Sequence, residues 1–103
     1  MADAGDRKNV VRVHITQDDF GYWMMSLERA DGSLMLASYR FEHPQHEIHH
    51  AYHPEKIGLP AGTEFLISEP SVPLRADAAE WRKPQPRRAR EPFYIIKNGK
   101  RVN

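Results

Sequence analysis

Five of the six histidines in this chain lie between His43 and His53. Neutral imidazole nitrogen is a good ligand for zinc, copper or nickel, and histidines one helical turn apart can share an ion. At 100° per residue, His46, His49, His50 and His53 fall within about a 100° arc, opposite Ile48 and Ala51. A noncatalytic divalent metal site on those four histidines is therefore one expectation. The run His46-Glu47-Ile48-His49-His50 also satisfies H-E-x-x-H, in which His46 and His50 would bind zinc and Glu47 would activate its water. A histidine-dense window meets so short a pattern readily by chance. No third ligand stands at a family-typical spacing, which leaves Glu64, Glu69 and His53 as candidates. The zinc-hydrolase reading therefore ranks below plain metal binding, and no catalytic residue is assigned. The plainest reading makes the histidines a solvated face. Clustered imidazoles resist charging together, so acidification through about pH 6 is expected to loosen this segment first.

A second chemistry lies further along. Arg75, Arg82, Lys83, Arg87, Arg88 and Arg90 sit among prolines, and Lys97, Lys100 and Arg101 extend the positive run. Guanidinium groups pair with phosphate, and the nearby Trp81, Phe93 and Tyr94 supply rings on which unpaired bases stack. RNA or an acidic protein surface is the implied partner. No recognised RNA- or DNA-binding signature accompanies the arginines. The plain alternative is solubility, or neutralisation of the protein's own acidic body.

Charge supports that division. Residues 1–74 hold six Lys/Arg against eleven Asp/Glu, a net of −5, whereas residues 75–103 hold nine against three, a net of +6. Such asymmetry marks a segment that meets an anionic partner. With no cysteine, disulfides and thiolate metal sites are excluded. The start Met1 to Lys8 is polar, unlike a signal peptide, and no apolar run reaches bilayer length. A cytoplasmic protein without a membrane partner is expected. There is no glycine-rich phosphate loop, no cysteine nucleophile and no serine in a triad context, so the chain is read as a non-enzyme.

Several elements must position these groups. Val10 to Thr16 alternates, with Val11, Val13 and Ile15 facing one way and Arg12, His14 and Thr16 the other. Tyr22 to Arg29 places Trp23, Met25 and Leu27 on one face and Tyr22, Met24 and Ser26 on the other. Asp31-Gly32 is a hairpin signal, and Leu34 to Phe41 follows as a third strand. Pro44 to Tyr52 reads as a short helix with an Ile48, Ala51, Tyr52 stripe, ended by Pro54. Thr63 to Ser68 is a fourth strand. The Pro/Arg-rich stretch 70–92 reads as an extended linker, because it has too few apolar side chains to offset its ordering entropy. Phe93 to Lys97 restores a strand, and Asn98-Gly99 is a tight-turn pair. That strand is expected to dock on the sheet or to pair with a second copy as a homodimer.

The stretch His14 to Lys56 resembles the small YegP-type bacterial domains of unknown function. The likeness rests on the aromatic strand with Tyr22 and Trp23, Leu27, the Ala30-Asp31-Gly32 turn, the apolar third strand and the helix after it. Where those domains carry an alanine- and lysine-rich helix, this chain has His43-Pro44-Gln45-His46-Glu47-Ile48-His49-His50. The resemblance implies a compact ββα-type unit and no activity.

These readings combine into an α+β fold: an antiparallel sheet of four to five strands, one short helix on one face and a Pro/Arg-rich irregular segment. The expected divisions are a flexible N-terminus (1–9), an acidic core (10–69), a linker (70–92) and a C-terminal strand or hairpin (93–103). The expected role is a noncatalytic binding module for an anionic partner, with divalent metal binding as the alternative.

Overall fold

Alternating apolar residues make β1 (Val10–Gln17) and β2 (Trp23–Arg29) an antiparallel pair, with Val13 opposite Leu27 and Ile15 opposite Met25. The computed structural model describes residues 7–75 and 85–102. Asp18 turns the chain between these two strands, its Oδ1 accepting from the amides of Phe20 and Tyr22 at 2.9 and 3.0 Å. Gly21 sits there at φ +88°, and a Cβ at that position would lie 2.5 Å from the Pro73 carbonyl oxygen. Only glycine suits both the angle and the crossing chain. β3 (Leu34–Phe41) then pairs antiparallel with β2 across the Asp31-Gly32 turn.

A helical layer follows. α1 (Gln45–His49) continues as a 3₁₀ turn over His50–Tyr52, and a second 3₁₀ turn spans Pro54–Ile57. His53 leaves helical angles (φ −143°, ψ 63°) ahead of Pro54, as the residue before a proline must. Ala51 and Leu59 are buried against the sheet, and Ile48 and Ile57 pack beside them. Tyr52, expected in the apolar stripe, is exposed. The α segment covers fewer residues than Pro44 to Tyr52 because its last turn tightens to 3₁₀ geometry.

The expected antiparallel sheet of four to five strands is instead a mixed sheet of six, in the order β3-β2-β1-β4-β5-β6. β4 (Glu64–Ser68) lies parallel to β1, with Val13 beside Phe65 and Ile15 beside Ile67. The helical layer is the crossover that makes this pairing possible, since parallel neighbours cannot be joined by a tight turn. β5 (Phe93–Lys97) docks antiparallel on β4, and β6 (Lys100–Arg101) returns along β5. Asn98 and Gly99 supply the positive φ values, 54° and 74°, of that two-residue turn. Within this chain β5 is thus paired on both sides.

The core lies between the helical layer and the first face of the sheet, formed by Val13, Ile15, Trp23, Met25, Leu27, Phe65, Ile67 and Ile96. Strict alternation predicts Val11 among these residues, but a register shift between Val10 and Arg12 buries Val10 and exposes Val11. Among the described residues, no helix is long and apolar enough to cross a membrane.

Candidate functional site

The second face of the sheet carries the chemistry. β1 turns Arg12, His14 and Thr16 onto it, and β2 turns Met24, Ser26 and Glu28. The antiparallel register sets Arg12 opposite Glu28 and His14 opposite Ser26. His14 and Glu28 are only 2% and 6% exposed, and His14 Nε2 lies 2.8 Å from Glu28 Oε1. A buried carboxylate needs such partners, because leaving it bare would cost far more than a bond gains.

Residues 85–92 cover this pair. They form neither helix nor strand and cross the face as a strap. The Ala89 amide donates to His14 Nδ1 at 2.9 Å, and Ser26 Oγ donates to the Arg87 carbonyl at 3.4 Å. Arg87 Nη2 donates to the Gln17 carbonyl at 3.1 Å, and Arg88 Nη2 to that of Gly32 at 3.1 Å. Arg88 Nε stands 3.6 Å from Glu28 Oε1. Beside the strap, a mixed polar cleft of about 180 Å³ opens among Thr16, Gln17, Glu69, Arg88, Arg90 and Pro92. Among the described residues, these discrete polar contacts tie the strap to the face, on which Met24 is also buried.

This geometry fixes the protonation state. An amide N–H aimed at Nδ1 requires a lone pair there, so His14 is neutral, carries its proton on Nε2 and donates it to Glu28. Burial is the main influence on His14 and lowers its pKa. The Glu28 hydrogen bond and charge oppose that, while Arg88 and Arg12 add to it. For Glu28, burial pushes upward, but the His14 hydrogen bond together with the charges of His14, Arg88 and Arg12 outweighs it, leaving the carboxyl below the usual glutamate value.

From Glu28 a row of alternating charge runs across four strands. Arg12 Nη1 lies 3.4 Å from Glu28 Oε2, and Arg12 Nε 3.1 Å from Glu64 Oε1. Lys97 Nζ lies 3.5 Å from Glu64 Oε2, and Lys100 stands directly opposite Lys97. The register that aligns β2, β1, β4 and β5 therefore gathers Arg12, Lys97 and Lys100 on the face already occupied by Arg87 and Arg88.

Not every expected cation joins them. Arg101 turns to the first face, its guanidinium 4.3 Å from the Tyr94 ring. Arg75 lies at the β1–β2 turn, 5.7 Å from the Phe20 ring. Arg90 is exposed on the strap. Arg82 and Lys83, with Trp81, lie outside the described residues.

The histidine segment forms two pairs. His46 and His50 have ring centroids 4.9 Å apart, and His49 and His53 are 5.7 Å apart. Among the described residues, no three His, Asp or Glu side chains gather as metal ligands. Burial, and then the charge of His46, lower the His50 pKa.

Reasoning from the sequence missed His14, Glu28 and the Ala89 amide. Strand alternation did place His14 on the face opposite the core, and aligning β1 with β2 brings Glu28 within reach of it. The missing signal was the cover, since nothing in Gln85 to Pro92 announces which surface it crosses.

Comparison with protein families, curated proteins and solved structures finds no match for this chain. Nothing there bears on the YegP-type resemblance.

Proposed function

We propose that the protein is a noncatalytic binding module whose second sheet face engages an anionic partner, namely single-stranded RNA. The observation that supports this reading is the arrangement of charge. The side chains of Arg12, Arg88 and Lys97 are 45%, 60% and 43% exposed, whereas their shared carboxylates Glu28 and Glu64 are 9% and 29% exposed. The acidic groups lie low and are already engaged, while the cations, joined by Lys100, stand above them. A polyanion approaching this face meets positive charge first, despite the acidic composition of the body. Arginine forks suit phosphate, and a strand face with flanking cations suits an extended backbone.

The test is binding of a labelled oligouridylate at about 50 and about 200 mM salt. Affinity should fall with salt, and Lys97→Ala/Lys100→Ala should flatten the slope by about 0.7 for each phosphate that is no longer neutralised. Absence of binding at the lower salt removes the RNA reading. Binding of polyglutamate in its place transfers the reading to an acidic protein surface.

The close approach of His46 and His50 supports a second reading, a divalent metal held by that pair. Zinc added during a thermal melt should raise Tm, and the rise should vanish in His46→Ala/His50→Ala.

A further inference from the structure

His14 occupies an unusual position. It lies beneath the strap, its Nε2 side is held by β2, and its Nδ1 side holds the strap itself through the Ala89 amide. One imidazole therefore connects the sheet to the segment that covers it. We propose that His14 is a proton-operated latch: a proton taken from solvent onto Nδ1 displaces the Ala89 amide and releases residues 85–92 from the second face.

Three consequences of that proton act together. First, Nδ1 changes from acceptor to donor, so the Ala89 N–H faces another N–H and loses its partner. Second, Glu28 gains a full counter-charge from His14, which weakens the electrostatic reason for Arg88 to stay near it. Third, the imidazolium adds a positive charge close to Arg88 and Arg12. The charged groups around His14 are Arg12 on β1, Glu28 on β2 and Arg88 on the strap, with Glu64 on β4 reaching it through Arg12. Its β4 neighbour is apolar Leu66. Among the described residues only Glu28 favours the charged ring directly, and Glu28 belongs to β2, so it stays when the strap leaves.

The direction of the pH effect follows. Burial first, then Arg88 and Arg12, hold His14 below the pKa of an exposed histidine. The unfolded chain therefore takes up this proton before the folded one does. The stabilisation from neutral His14 is complete above about pH 6.5, the ordinary histidine value, and is lost as pH falls through the folded value. Linkage also works in reverse, so a docked strap must itself depress the His14 pKa. Joined to the RNA reading, on which this one step rests, release frees the Arg87 and Arg88 donors now spent on the Gln17 and Gly32 carbonyls.

The experiment is an NMR titration of the full chain, following the His14 ring and the hydrogen-exchange protection of the Ala89 amide from about pH 7.5 to about pH 5. Protection should hold steady above about pH 6.5, fall by up to about tenfold per pH unit from there down to the His14 midpoint, and level off below it. His14→Gln supplies an oxygen for the Ala89 amide and an N–H for Glu28 without titrating, so its Ala89 protection should not respond to pH. Ala89→Pro removes the amide, so the His14 midpoint should rise. Three results overturn the latch: Ala89 protection unchanged where the His14 ring has titrated, His14 staying neutral until the chain unfolds, or a His14 midpoint unmoved in Ala89→Pro. A parallel oligouridylate titration at constant salt should show tighter binding as His14 titrates, and no such gain in His14→Gln. If protection falls as stated while binding does not change, the latch stands and the RNA reading fails.

Discussion

On the first face of the sheet, Val13, Ile15, Phe65 and Ile67 meet Ala51 and Leu59 of the helical layer, side chain against side chain. On the second face, His14 and Glu28 meet an amide and a guanidinium of a strap that has no regular structure. From Val13 to Thr16 both faces of β1 are buried, yet largely by different means. Apolar packing is non-directional and insensitive to pH, and it is lost only when volume is removed. A buried polar pair is directional, and it depends on each partner holding the right proton. The first face is thus built to persist. The second is built so that one change of state alters several interactions at once.

That contrast fails if a volume deletion on the first face is cheap. Phe65 is 0% exposed and lies beside Val13 and opposite Ile96, at the centre of the core. Phe65→Ala should cost about 3–5 kcal/mol, the range for a buried aromatic truncated to alanine. Urea denaturation of the full chain measures this, and the loss should be the same at neutral and mildly acidic pH. A loss under about 1 kcal/mol would mean that the helical layer collapses onto the gap, and that the first face is looser than its burial implies.

The two faces were unequally legible in the sequence. Val13, Ile15, Trp23, Met25 and Leu27 announce their face through period-two alternation, and Asp31-Gly32 and Asn98-Gly99 announce their turns through the positive φ they tolerate. The parallel placement of β4 was not legible. A five-residue apolar strand carries no mark of its partner's direction, and only the crossover through the helical layer between β3 and β4 settles it. The strap was hidden for a related reason. Gln85 to Pro92 docks through the Ala89 amide and the Arg87 carbonyl, backbone groups that leave no pattern in side-chain identity, and its Arg87 and Arg88 side chains donate to the equally anonymous carbonyls of Gln17 and Gly32. Alternation placed His14 opposite the core without revealing that it is covered, because its cover comes from a segment about 75 residues away.

Glu28 tests the second face at its most connected point. Glu28→Ala leaves the His14 Nε2 proton without an acceptor and removes the carboxylate that Arg12 and Arg88 share. A buried donor stripped of its partner costs about 1–3 kcal/mol, below the Phe65 loss. Glu28→Gln keeps an acceptor but no charge, so it should cost less while moving the His14 midpoint further down. If Glu28→Gln and Glu28→Ala are equally destabilising in urea, the charge outweighs the hydrogen bond, and the face is held electrostatically.

Glu64 gives the smallest effect and the finest test, because it lies in the same charge row where that row reaches solvent. It bridges Arg12 and Lys97 at 3.1 and 3.5 Å, and the side chains of both cations are more than 40% exposed. Water and salt screen such pairs, so Glu64→Ala should cost under about 1 kcal/mol, and less still at high salt. Its effect on binding should run the other way. Removing this carboxylate leaves Arg12 and Lys97 without a shared counter-charge on the open side of the face, so oligouridylate should bind more tightly at low salt. Stability slightly down with affinity up would separate the two ends of one row: buried Glu28 holds the strap, and half-exposed Glu64 restrains the cations. If affinity falls instead, Glu64 orients Arg12 and Lys97 for the partner, and the row acts as one rigid binding element from β2 to β5.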